Sequence, residues 1–141
     1  MSTFLTRASV DEAPVEGRAP STRLALGAAR GVGVVHALLG LAGVVLFTVV
    51  MPEEALWVHP VVDTGVVVLK VAVSALLLVG ALWPGLAPDR RHRLLGFAVL
   101  GSVVFGLVKL TVYDEQEALA FFVIDALLVV LLVLARPRAR T

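Results

Sequence analysis

The chain has 141 residues, enough for one domain, and 59% of them are apolar against 16% charged. With a mean hydropathy of +0.96 it is too apolar and too sparsely charged for an ordinary soluble domain, which points to a lipid bilayer. The formal charge is only +1, and the absence of cysteine excludes disulfides, thiolate metal sites and thiol catalysis.

Residues 1–23 read as a flexible cytoplasmic tail. Arg7, Asp11, Glu12, Glu16 and Arg18 are interspersed with Pro14 and Pro20, and no short basic stretch leads into an apolar core as in a secretory signal. Four stretches then have the length and apolarity of spanning helices: about 24–51, 64–83, 94–113 and 118–135. Pro52, Pro84, Pro88 and Pro137 stand just beyond span ends, where proline terminates helices. Asp114 with Glu117 has capping-box spacing for the fourth helix. The short link 114–117 makes the third and fourth helices antiparallel neighbours. Residues 136–141 form a basic cytoplasmic tail. The expected fold is all-α: an integral membrane four-helix bundle with short loops.

Ten of the twelve Lys and Arg residues lie before the first span or at its cytoplasmic interface (Arg30), between the second and third, or after the fourth. The other two connections hold Glu53, Glu54, Asp63, Asp114, Glu115 and Glu117 and no basic residue. The positive-inside rule therefore predicts both termini in the cytoplasm and a multi-pass protein of the cell inner (plasma) membrane. Arg90, Arg91 and Arg93 form a basic loop at the lipid headgroups, worth about 1 kcal/mol each toward anionic lipid. The run is too short to suggest nucleic acid. Trp57, Trp83 and Tyr113 fall near span ends, as interfacial aromatics do. The lack of Asn and the excess of Arg over Lys suggest a GC-rich prokaryotic genome.

Helices in lipid associate through small residues and interhelical polar contacts. Gly33, His36, Gly40 and Gly43 form one seam on the first span, and Ser102 and Gly106 lie in a comparable stripe on the third. Such seams predict self-association or another membrane subunit, besides packing within the chain.

Three charges lie inside spans: Lys70, Lys109 and Asp125. Counted along the helices from their non-cytoplasmic ends, they sit about 9, 6 and 10 Å deep. Lysine stems can reach outward to headgroups, whereas the aspartate cannot. Asp125 is therefore expected to be protonated or paired, and the reading is a cluster with Asp125 between the two lysines. Such a cluster is either a structural lock on helix register or a proton- or anion-linked site. His36 falls in the cytoplasmic half of the first span, away in depth from those charges, and is expected to bond Ser74 or a backbone carbonyl.

There is no phosphate loop, no paired metal-ligand spacing and no nucleophile–histidine–acid arrangement, so no catalytic residue, metal or cofactor is expected. The foremost expectation is a non-enzymatic membrane protein, a subunit of a complex or a homo-oligomer. Its alternative is a small proton- or anion-linked transporter or channel.

The four-helix layout, the Arg near the start of a Gly-rich first span and the rhythm of Leu69-Lys70-Val71-Ala72-Val73-Ser74-Ala75-Leu76-Leu77-Leu78-Val79-Gly80 resemble the DoxX-like small membrane proteins. That family's second helix typically carries an acidic residue and further glycines where this one has Lys70, Val73 and Ser74. The resemblance implies an accessory subunit of a membrane redox or oxidant-defence complex and carries over no residue.

Overall fold

The computed structural model describes residues 20–52 and 58–136 and is helical throughout them. Four α-helices follow in order: α1 Pro20–Val45, α2 Pro60–Leu82, α3 Pro88–Val112 and α4 Ala118–Leu134. A π-helical turn, Leu46–Val50, prolongs α1. Most of both expected tails lies outside the described residues, as do Glu53, Glu54 and Trp57. Residues 20–23, expected as tail, form the first turn of α1.

Prolines start these helices rather than only stopping the preceding ones. Pro60 and Pro88 occupy the first turns of α2 and α3, where the missing N–H costs no hydrogen bond and φ is already helical. Their sites lengthen both helices at the N-terminus beyond the apolar windows, taking Asp63 and the Arg90–Arg93 run into helix. His59 caps α2 by accepting the Val61 N–H through its ring Nδ1 at 3.3 Å. The expected capping box on α4 does not form: Glu117 is its N-cap in helical conformation with no side-chain cap bond. Asp114 takes φ 54° instead. That left-handed residue turns the chain at the end of α3, so that the Lys109 carbonyl accepts N–H bonds from both Tyr113 and Glu115.

Each helix packs on the next, and α1 packs on α4, closing a ring. α1, with its π turn, and α2 and α3 are long and apolar enough to cross a membrane. α4, with 17 residues, is shorter, about 26 Å against a hydrocarbon core of about 30 Å. Large apolar side chains cover the outside, among them Leu24, Val49, Phe97, Val123 and Val133. In water that surface would aggregate; in lipid it needs no cover.

Along its axis the molecule is layered. At the basic end, Arg30 Nε donates to the Ala81 carbonyl at 2.6 Å, and Arg91 donates to Ala81 at 3.0 Å and to Trp83 at 2.7 Å. Two guanidinium groups thus satisfy carbonyls that the end of α2 leaves without helical partners. An apolar layer follows, in which Leu77, Leu95, Leu128 and Leu132 pack with Ala29, Ala37 and Ala98. Gly80 admits the Leu95 side chain, whose Cδ2 would lie 2.9 Å from a Cβ at that position. A polar layer and then a cavity lie between this plug and the acidic end.

Candidate functional site: a cavity floored by a buried lysine

The polar layer draws one or two side chains from every helix. His36 on α1, Ser102 on α3 and Asp125 on α4 are all buried. His36 Nε2 shares a 2.8 Å hydrogen bond with Ser102 Oγ and lies 3.5 Å from Asp125 Oδ1. Phe121, one turn before Asp125, meets the His36 ring edge to face at 5.4 Å. From α2 come Lys70 and, one turn on, Ser74, both buried.

Lys70 is the exceptional member. Its ammonium is buried at 2% residue exposure with no hydrogen-bond partner, although it carries three donors. Two aromatic faces flank it, Phe121 at 4.2 Å and Phe105 at 4.8 Å from ring centroid to Nζ. Cation–π contact of this kind offsets part of the desolvation, about 0.5–2 kcal/mol, and leaves the N–H donors unmet. The stem crosses α1 at Gly40. A Cβ there would collide with Lys70 Cε and stand 2.9 Å from Ser74 Oγ, so only glycine admits the lysine. Ser74 Oγ and both oxygens of Asp125 likewise have no hydrogen-bond partner.

Of these residues Lys70, Gly40, Phe105 and Phe121 line a cavity of about 560 Å³ that reaches the acidic end. Leu39, Val44, Phe47, Val66, Val67 and Phe121 give it apolar walls, with Lys70 and Gly40 at its floor. Its rim carries Asp63, Asp114, Glu115 and Glu117 with Lys109. There Tyr113 Oη donates to Asp63 Oδ1 at 2.5 Å, and the Val58 N–H donates to the same oxygen at 3.2 Å. Burial, reinforced by the bond to Asp63, pushes the Tyr113 phenol up to about 12, so it remains a donor.

The expected cluster of Asp125 with two lysines takes a different form. Lys70 and Asp125 come into one layer, but Lys109 turns to the rim and pairs with Glu115, over the Tyr113 ring. Its long stem and the Asp114 turn make that nearer partner available. His36 is not remote from the charges as expected: it lies beside Asp125 and bonds Ser102 rather than Ser74. α1 with its π turn is the longest helical stretch, so counting residues from its end overstates how far His36 lies from the other charges. Of the small-residue seam, a Cβ at Gly33 would just meet Leu95 and Leu77, Gly40 admits Lys70, and Gly106 faces the Phe122 ring; Gly43 lines the cavity.

Two side chains expected at the membrane surface turn inward. Arg91 is buried as a cap on α2, while Arg90 and Arg93 are exposed. Tyr113 is buried on Asp63. The sequence reading leaves out the aromatic frame of Lys70, although Phe105 and Phe121 each stand one helical turn before a charge within an apolar helix, Lys109 and Asp125.

The chain matches no family model, no curated protein and no solved structure.

Proposed function

We propose that this chain is a multi-pass plasma-membrane protein, a four-helix bundle with the basic end and both termini in the cytoplasm. In this reading it binds a small amphiphile through the amphiphile's carboxylate. The carrying observation is the Lys70 ammonium, desolvated and without a hydrogen-bond partner at the floor of an apolar-walled cavity. An isolated buried ammonium is costly, and intramembrane charges are functional candidates by default. A carboxylate supplies the oxygen acceptors that Lys70 lacks, and an alkyl chain of moderate length fills the walls above it. The cavity opens at the acidic end, which this topology places outside the cell. His36 does bond the Ser102 hydroxyl, but Asp125 approaches the same Nε2 and neither His36 nor Ser102 lines the cavity, which favours binding or carriage over catalysis.

The test is thermal stabilisation by octanoate of the protein in lipid nanodiscs, with octanol as the uncharged control. Octanoate should raise Tm more than octanol, and Lys70→Gln should remove the difference. Equal shifts from the two compounds in wild type, or an undiminished octanoate effect in Lys70→Gln, would sink the proposal.

A second reading, subunit of a complex or homo-oligomer, is favoured by the outer face of α1. Gly27 and Gly31 lie there exposed, and a Cβ on either would meet nothing. Small residues one turn apart on a lipid-facing surface suit close approach of another helix. Gly27→Leu with Gly31→Leu should then convert a crosslinkable assembly into monomers; unchanged crosslinking removes this reading.

A further inference from the structure

We infer that a carboxylate bound at Lys70 enters together with a proton, which comes to rest on Asp125. The inference rests on the carboxylate-binding reading above and concerns the charge balance behind that site.

With Asp125 ionised and His36 neutral, the buried layer holds one positive and one negative charge. Lys70 and Asp125 lie in the same layer without a direct ion pair or hydrogen bond between them, and the nearest polar neighbours of the carboxylate are Ser102 and, at 3.5 Å, His36 Nε2. A carboxylate arriving at Lys70 takes over the cation. Asp125 then becomes a second, unsupported anion in a dry layer, sealed from the basic end by the leucine plug. One added proton restores neutrality.

The groups around Asp125 identify its acceptor. From α1 it faces His36, whose Nε2 is engaged by Ser102 and whose Nδ1 has no partner; a proton there would make a second cation near Lys70 rather than discharge Asp125. From α2 the charged group is Lys70. α3 presents Ser102, which does not titrate in this range, and its Lys109 is committed to Glu115 at the rim. Asp125 is thus the group left carrying the unmet charge, with both oxygens free to take the proton. His36 lies within ion-pair reach of Asp125, at 3.5 Å.

The rim favours the same stoichiometry. Four carboxylates stand there against one lysine, so a bare anion is repelled, whereas the neutral acid is not. The acid form enters, its O–H bond breaks, a new O–H bond forms on Asp125, and the ligand's carboxylate is left on the Lys70 ammonium. The proton is conserved and nothing is oxidised or reduced.

The experiment is proton uptake in weakly buffered solution near neutral pH as octanoate is titrated into the protein in nanodiscs. Empty nanodiscs and Lys70→Gln are the blanks. Wild type should take up about one proton per octanoate bound, since the ligand is ionised in bulk at that pH. Infrared difference spectra should show a protonated-carboxyl band appearing with octanoate, shifted in heavy water. Asp125→Asn should bind octanoate more tightly than wild type, because Lys70 then lacks any internal counter-charge, and should lose both signals. If that variant does not fold, the wild-type infrared band alone decides. Octanoate binding without proton uptake or the band overturns the inference and leaves the carboxylate site standing. Octanoate that does not bind wild type at all removes the site itself.

Discussion

Lys70 lies across Gly40 where a side chain would otherwise stand, so the position of the ammonium is set by an absent methyl group on the facing helix. Gly40→Ala must push the lysine stem and Ser74 aside. The overlap is with the end of a flexible side chain rather than with backbone, so the fold should survive with a loss of about 1–3 kcal/mol. Octanoate stabilisation should fall far more than Tm does. Equal octanoate response in Gly40→Ala and wild type would show that lysine placement does not matter.

Lys70→Met separates a site from a lock. If the lysine were a structural counter-charge, losing it would strand Asp125 and cost about 3–5 kcal/mol. Because the ammonium has no hydrogen-bond partner and Asp125 can discharge itself by taking a proton once the lysine is gone, we expect the ligand-free Met variant to melt at or above the wild-type temperature. Thermal unfolding without ligand reads this directly.

Lys109 provides the contrast. Its pair with Glu115 is partly exposed at the rim. Such pairs contribute about 0–1 kcal/mol, so Lys109→Met should shift Tm little. A large loss would mean the rim pair closes the α3–α4 turn as well.

Arg30 and Arg91 share the Ala81 carbonyl. Arg91→Met also frees the Trp83 carbonyl and should cost about 1–3 kcal/mol. Arg30→Met should cost less, and the double variant more than the sum, because each arginine covers for the other at Ala81. Additive unfolding energies would show that the two caps act independently.

Tyr113 is the only tyrosine, so the phenolate absorbance band reports on it alone. Folded protein should titrate near 12, and unfolded protein near the ordinary value of about 10. Because the folded pKa is the higher, this group's contribution is whole below about pH 10 and is lost as pH rises toward 12. Tyr113→Phe should lack that alkaline decline, and a folded-state titration near 10 would remove the Asp63 bond from the account.

Much of the helix count was legible in the sequence, because an apolar run of spanning length between prolines leaves few alternatives. So was the burial of Asp125, whose side chain is too short to reach water. Pairing was less legible. Depth counted from span ends misplaced His36, since α1 with its π turn is the longest helical stretch and the ends of helices of unequal length do not share one depth. Arg91 and Tyr113 looked like surface residues because composition says which residues stand near an interface and not which way they turn. Asp114 carried a capping signal for α4, yet the chain spends it on ending α3. A residue between two helices serves whichever end needs it first.

The leucine layer beneath the polar residues has an electrical consequence. Among the described residues, Leu77, Leu95, Leu128 and Leu132 form an apolar layer that interrupts any file of polar groups along the helices. On the proposed reading, this conformation is a blind well rather than a conduit. Carriage across the bilayer therefore requires α2 and α3 to part where Leu95 fills the notch at Gly80. A flux assay would thus report the frequency of that parting, while the well itself sets only what is held.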